Sequence, residues 1–202
     1  MLFVRHGTTP TTGSVLPGRA RGLHLADEGR AQAEALAERL GVLHRIAAVY
    51  ASPLERARET AAPIARKLGL EVVADKGLLE CDFGQWTGLD LKKLMKKPEW
   101  VTVQRYPSGF RFPGGESFNE MQTRITGTAT RLAAVHRGRA VVLVSHADPI
   151  KAAVAHALGT HLDLFQRIVV SPCSVTAVAY GPGGPSVLTV NAVGDLADLK
   201  LS

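Results

Sequence analysis

The sequence predicts an α/β fold: an open, mostly parallel sheet with helices on both faces, an edge hairpin near the C-terminus and a small inserted lid. Three observations carry that prediction. Short apolar runs alternate with longer segments of helical period along the chain. The strongest run, Ala140–Ser145, is apolar until its last residue, as in a strand covered on both faces. Two further runs, Val175–Tyr180 and Ser186–Val190, flank Gly181-Pro182-Gly183-Gly184-Pro185, the punctuation of a hairpin closing a sheet edge.

Each element has its own local reason. Leu2-Phe3-Val4 reads as a buried strand running into a loop at Arg5-His6-Gly7. Asp27 is placed as an N-cap; Ala33, Leu36, Ala37 and Leu40 then recur at helical spacing, and Gly41 marks the stop. Ala47-Ala48-Val49-Tyr50 is the next strand. Ser52-Pro53-Leu54-Glu55 combines a capping serine, a proline at the first helical position and a glutamate at N3, which reads as a capping box. The helix it opens carries Leu54, Ala57, Ala61, Ile64 and Leu68 on one face, stops at Gly69 and is expected to bend at Pro63. Val72-Val73 is a short strand. Residues 77–115 hold no long periodic element and read as a lid of short helices and loops. Trp86, Trp100, Tyr106, Phe110 and Phe112 read first as that segment's own small core, with substrate contact as the alternative. Ser117-Phe118-Asn119-Glu120 is a second capping box, opening a helix with Phe118, Met121, Ile125, Ala129 and Leu132 on one face. Asp148-Pro149 is expected to cap a helix from Ile150 to Leu158.

Composition bounds the function. At ~150 residues per domain, the 202 residues read as one domain, 1–202, with 77–115 inserted in it. Such a chain buries about 70% of its unfolded surface, so no disulfide or metal is needed for folding. With 46% hydrophobic and 21% charged residues, disorder and fibrous architecture are excluded. No apolar run approaches the ~18 residues of a membrane span, and Arg5 leaves no room for a signal-peptide core. Cys81 and Cys173 form no CxxC pair and read as reduced thiols. A soluble, cytoplasmic protein without a membrane partner is expected. The net charge of +6 suits an anionic ligand, with phosphate esters and nucleic acid both candidates. The one dense basic run, Lys92-Lys93-Leu94-Met95-Lys96-Lys97, lacks interleaved aromatics and reads as a solvated helix face, so nucleic acid is not expected.

Ligands of open α/β sheets bind beyond the carboxyl ends of the strands. Three predicted strands end in residues that can handle an oxyanion: Arg5 and His6 after the first, Ser52 and Arg56 after the second, Ser145 and His146 after the third. Two arginines can clamp phosphate oxygens, helix N-termini add N–H groups, and positive surroundings should hold His6 neutral as a nucleophile. Taken singly, each histidine also fits a turn and each arginine a surface position.

Together the motifs resemble the histidine phosphatase (phosphoglycerate-mutase-like) superfamily. The match comprises, in order, Val4-Arg5-His6-Gly7-Thr8-Thr9, Gly18-Arg19, Leu25–Ala33, the run Ser52–Thr60, Glu80–Gly88, Phe112–Ser117 and Val144-Ser145-His146. His161–Arg167 further resembles a bacterial subgroup carrying a phosphomutase label. The resemblance implies that His6 accepts a phosphoryl group, that Arg5, Arg56 and His146 surround it, and that Glu80 is the general acid, with Asp82 its rival. Thr9, Arg19 and Ala147 fall at substrate-binding positions, Thr9 having a simple turn role as its alternative. His24, His44, His136, His156 and His161 read as structural or exposed. No metal and no cofactor is implied; the implied partner is a small phosphate ester, and a homodimer stays open.

Departures from the family separate its activities. Thr12 stands where phosphoglycerate mutases carry asparagine, Cys81 and Phe83 where they carry arginine and tyrosine, and Leu91 where they carry lysine. Those polar groups retain the intermediate for re-phosphorylation, so their loss favours hydrolysis. A metal-independent phosphomonoesterase is the expected activity. The alternatives are a cofactor-dependent phosphomutase and a catalytically idle phosphate-ester-binding module.

Overall fold

A computed structural model describes residues 1–43 and 45–196. The reading of His44 therefore lies outside the described residues. Six strands form one sheet: β1 (Leu2–Arg5), β2 (Ile46–Ala51), β3 (Val72–Ala74), β4 (Ala140–Ser145), β5 (Val175–Gly181) and β6 (Gly184–Ala192), in the order β3-β2-β4-β1-β5-β6. The pairs β2–β3, β2–β4 and β1–β4 are parallel; β1–β5 and β5–β6 are antiparallel, the last being the edge hairpin.

Strand periodicity sorts the core into two layers. Leu2, Val4, Val49, Val142 and Val144 face α1 (Asp27–Gly41) and α2 (Glu55–Leu68). Phe3, Val141 and Leu143 face the other way, against α5 (Phe118–Val135) and α6 (Ala147–Ala157). All six residues of β4 are buried, which is why its sequence shows no alternation. α2 runs as one helix across Pro63 and ends at Gly69 in the left-handed conformation, φ 65°.

Three helix starts differ from expectation. Asp27 is the first residue of α1, not its cap; Ala26 holds that position and Asp27 pairs instead with Arg30 at 3.0 Å. α2 begins only at Glu55, with Leu54 at the cap and no capping side chain. Ser52 lies two residues before that cap; its hydroxyl is 2.8 Å from His146 Nε2 and accepts from Leu54 N–H at a longer 3.4 Å. α6 begins at Ala147 rather than Ile150, with His146 at the cap; Pro149 sits within the first turn, where a missing N–H is harmless. The box at Ser117 is complete: Glu120 N–H donates to the Ser117 hydroxyl at 3.2 Å and Ser117 N–H to the Glu120 carboxylate at 2.9 Å.

Residues 77–115 carry α3 (Leu91–Leu94), α4 (Trp100–Arg105) and single 3-10 turns. Their aromatic rings pack on one another. Trp86 stacks on Trp100 at 6.5 Å, Phe112 meets Phe83 edge-on at 4.8 Å, and Phe118 continues the chain of rings to Phe165. Tyr106 departs from this core reading, being 59% exposed. Lys92, Lys93, Lys96 and Lys97 are exposed while Leu94 is buried, the pattern of a solvated face. Among the described residues no helix is long and apolar enough to cross a membrane.

Candidate active site

Parallel neighbours end on the same side of a sheet, so β2, β4 and β1 deliver their following residues to one place. Arg5 lies beside Ser145 in register, His6 N–H donates to the Ser145 carbonyl at 3.0 Å, and Ser52 N–H donates to the Val144 carbonyl at 2.9 Å. The His6 and His146 rings meet edge-on at 5.1 Å between centroids. The loop carrying His6 lies so close to α1 that a Cβ on Gly7 would come 2.6 Å from the Gly29 carbonyl oxygen. Gly7 N–H is tied to Thr60 Oγ1 at 3.0 Å, and Thr60 donates in turn to the Arg56 carbonyl at 2.8 Å.

His6 is buried, and its hydrogen bonds assign its tautomer. Nδ1 lies 2.8 Å from the Gly7 carbonyl, which can only accept, so Nδ1 carries the proton. Nε2 keeps its lone pair and accepts from Arg56 Nε at 3.3 Å. Burial first, then the Arg56 charge, push the ring pKa down to about 3. His146 is likewise held neutral, by burial and then by Arg56.

Positive charge surrounds the histidines. Arg56 is fully buried, with Nη2 on the Gly18 carbonyl at 2.7 Å. Arg5 Nη1 donates to the Val170 carbonyl at 2.7 Å. Arg5 Nε, Arg56 Nη1 and His146 Nδ1 are buried without a partner among the described residues. Buried polar atoms without partners cost free energy, and the two guanidinium N–H groups together with His146 Nδ1 form a socket for an anion. An Nδ1–H on His146 follows if the Ser52 hydroxyl donates to Nε2.

Glu80 is buried beside this socket. Its Oε1 accepts from Cys81 N–H at 2.9 Å. Desolvation, then repulsion from Asp148, raise its pKa to about 7, against the pull of Cys81 N–H, Arg56 and Arg5. Its main chain is clamped: Arg19 Nε and Arg124 Nη2 both donate to the Glu80 carbonyl, at 2.9 and 3.3 Å. Glu116 joins the two arginines, with Oε2 2.9 Å from each. Glu116 N–H also donates to the Asp82 carbonyl at 2.9 Å, and a Cβ on Gly115 would meet that same oxygen at 2.2 Å. The Phe112–Ser117 block thus holds the Glu80 loop by close backbone approach.

Asp82 is differently placed. Its carboxylate caps Gly84 N–H at 3.0 Å, lies 3.4 Å from Arg19 Nη1 and is 39% exposed. Arg19 spends its guanidinium on Glu80, Asp82 and Glu116. Thr9 is buried in a threonine turn, its hydroxyl 3.0 Å from that of Thr12. Ala147, half-buried, opens α6 directly after His146. His24 pairs with Glu59, His136 with the Tyr50 hydroxyl at 3.0 Å, and His161 with Asp163 at 3.3 Å, all apart from His6; His156 is exposed.

Sequence reasoning missed Ser52 as the partner of His146, because Ser-Pro before a helix reads as a cap. It missed Arg124, which on an amphipathic helix reads as a surface residue. Asp148, expected as a cap, instead acts on Glu80 by charge.

A profile of the histidine phosphatase superfamily (branch 1) matches residues 1–193. The chain belongs to the histidine phosphatase superfamily. Among its relatives in that superfamily, the bifunctional protein Rv2228c of Mycobacterium tuberculosis is 34% identical over 198 residues, 97% of this chain and 54% of its own length. The chain therefore spans about half of that longer protein. Phosphoserine phosphatase 1 of Hydrogenobacter thermophilus is 35% identical over 156 residues, 73% of this chain and 72% of the relative. The mycobacterial glucosyl-3-phosphoglycerate phosphatase Rv2419c superposes with a TM-score of 0.85 at 28% identity, covering 95% of this chain and 98% of its own. That protein has also been solved with VO3 and with inorganic phosphate.

Proposed function

We propose that this histidine phosphatase family member is a metal-independent phosphomonoesterase acting on a small phosphorylated metabolite through a phosphohistidine. The observation that carries the reading is the buried neutral His6, whose Nε2 lone pair faces Arg56 Nε, beside Arg5 Nε, Arg56 Nη1 and His146 Nδ1, which are buried without a partner among the described residues. A phosphate monoester binds with its oxygens on Arg5, Arg56 and His146. His6 Nε2 forms a bond to phosphorus as the ester P–O bond breaks, and Glu80 gives its proton to the departing alkoxide. A water then loses a proton to Glu80 and attacks phosphorus; the N–P bond breaks, releasing phosphate and neutral His6. Thr9 and Ala147 are assigned the substrate-binding roles that the family resemblance implies, and Arg19, bonded to the Glu80 carbonyl, is assigned to hold that loop.

Glu80 suits the acid role better than Asp82, which is committed to Arg19 and Gly84 N–H. Hydrolysis is favoured over mutase chemistry because Cys81 and Phe83 are turned into the apolar core and offer the substrate no polar group. Phosphatase activity in relatives named for phosphoserine and glucosyl-3-phosphoglycerate supports the same reading. Residues 77–115, which carry Glu80, are the lid that selects the alcohol. The test is turnover of p-nitrophenyl phosphate, phosphoserine, 3-phosphoglycerate and sugar phosphates in EDTA, scoring phosphate release and isomerised product. Release that persists in EDTA and vanishes in His6→Ala is expected. Isomerisation requiring a bisphosphate primer, or tight binding without turnover, would overturn it.

A further inference from the structure

At the opposite end of the sheet from His6, a cavity of about 880 Å³ opens between the C-terminal half of α5, the β5–β6 hairpin and the amino ends of β1 and β4. Its apolar lining includes the buried Leu2 and Val178 and the exposed Ala134 and Leu188. Arg45, Arg137 and Arg139 stand around it, and none of the described residues lining it is acidic. Among the described residues, none of these three guanidiniums has a hydrogen-bond or ion-pair partner. The Tyr180 hydroxyl is likewise without one, and burial pushes its pKa up to about 12, so it remains an O–H donor. The His136 ring on the wall is held by Tyr50.

An apolar lining with a few polar groups is the make-up of a small-molecule site, and the volume lies in the usual range of ~300–1,000 Å³. Among the described lining residues the charged groups are all arginines, beside the hydroxyls of Thr130 and Tyr180 and the rings of His136 and His156. We propose that this cavity is a second binding site, separate from the phosphate-ester socket, for an amphipathic small-molecule anion: an anionic head on the arginines and an apolar body on the lining formed by Leu2, Ala134, Val178 and Leu188. Its volume suits a small molecule, and the arginines lack the stacked aromatics a single-stranded nucleic acid needs.

The test is isothermal titration of the full chain with octanoate, and with 1-octanol as the neutral match, in phosphate buffer that occupies the His6 socket. Octanoate is expected to bind saturably at one site, with 1-octanol about tenfold weaker or more, the share of charge-assisted hydrogen bonds. The exposed double substitution Arg137→Glu/Arg139→Glu is expected to weaken octanoate about tenfold. Ala134→Trp, which fills the cavity, is expected to abolish it. Turnover of p-nitrophenyl phosphate stays unchanged in both variants. Equal binding of octanoate and octanol, no saturable binding, or binding that survives both variants would overturn the proposal. So would capture of a polyglutamate peptide in place of octanoate, which would make the cavity a protein-docking site.

Discussion

With Nδ1 donating to the Gly7 carbonyl and burial holding the ring neutral, His6 keeps a lone pair on Nε2 throughout the neutral pH range. The group that titrates there is Glu80, at about 7. A general acid must be protonated, so kcat/KM should fall as pH rises through about 7, while His6 adds no limb near neutrality. Glu80→Gln should lower kcat about 10²–10⁴-fold toward alkyl esters and remove that alkaline limb; a limb unchanged in the variant would place the acid elsewhere. Ser52→Ala strands a buried nitrogen of His146 and should cost about tenfold or more in kcat/KM, with partial rescue by Ser52→Thr. The candidates proposed for this chemistry were legible because His6 and His146 directly follow strands and Arg5, Arg56 and Glu80 fall in family blocks. Ser52 and Arg124 were not, since their roles depend on which distant atom they face.

Capping signals show the same division at the level of elements. Ser117 and Glu120 satisfy one another within four residues, so sequence alone suffices; Ser117→Ala should destabilise the chain by about 1 kcal/mol in chemical denaturation with little loss of activity. Ser52 and Asp148 carry the same local signature, yet the converging strand ends draw one to His146 and set the other beside Glu80. Tertiary contacts outcompete a cap wherever a buried polar group would otherwise go unsatisfied. The Glu80 loop is held in the same long-range way, by Arg19, Arg124 and Glu116. Arg124→Lys cannot reproduce the fork that reaches Gly77, Leu79 and Glu80 carbonyls together with Glu116. It should lower kcat about tenfold with a smaller change in KM, and should move the alkaline limb. A change in KM alone would show that this frame serves binding and not the acid.

Across the whole molecule, the strand order β3-β2-β4-β1 places three parallel carboxyl ends side by side, and buried cations without carboxylate partners accumulate there. An anion relieves that charge, so phosphate or vanadate should stabilise the fold. At a hundred times its Kd, a ligand contributes ~2.7 kcal/mol, roughly 5–10 °C in Tm for a chain of this size. Arg56→Ala should remove that shift in a thermal melt, even if it alters the starting Tm. The sheet and its two layers were legible from apolar periodicity, and 77–115 read as short helices and loops around its own aromatics; the bounds of its elements were not legible, because its order comes from ring-on-ring contacts that leave no period in sequence. The central claim is covalent, and a covalent test reaches it most directly. During turnover of p-nitrophenyl phosphate, rapid quenching into alkali and mass spectrometry should find an acid-labile phosphoryl group on His6 and nowhere else. Turnover with no adduct on His6, or an adduct on another residue that accumulates at the catalytic rate, would contradict the account.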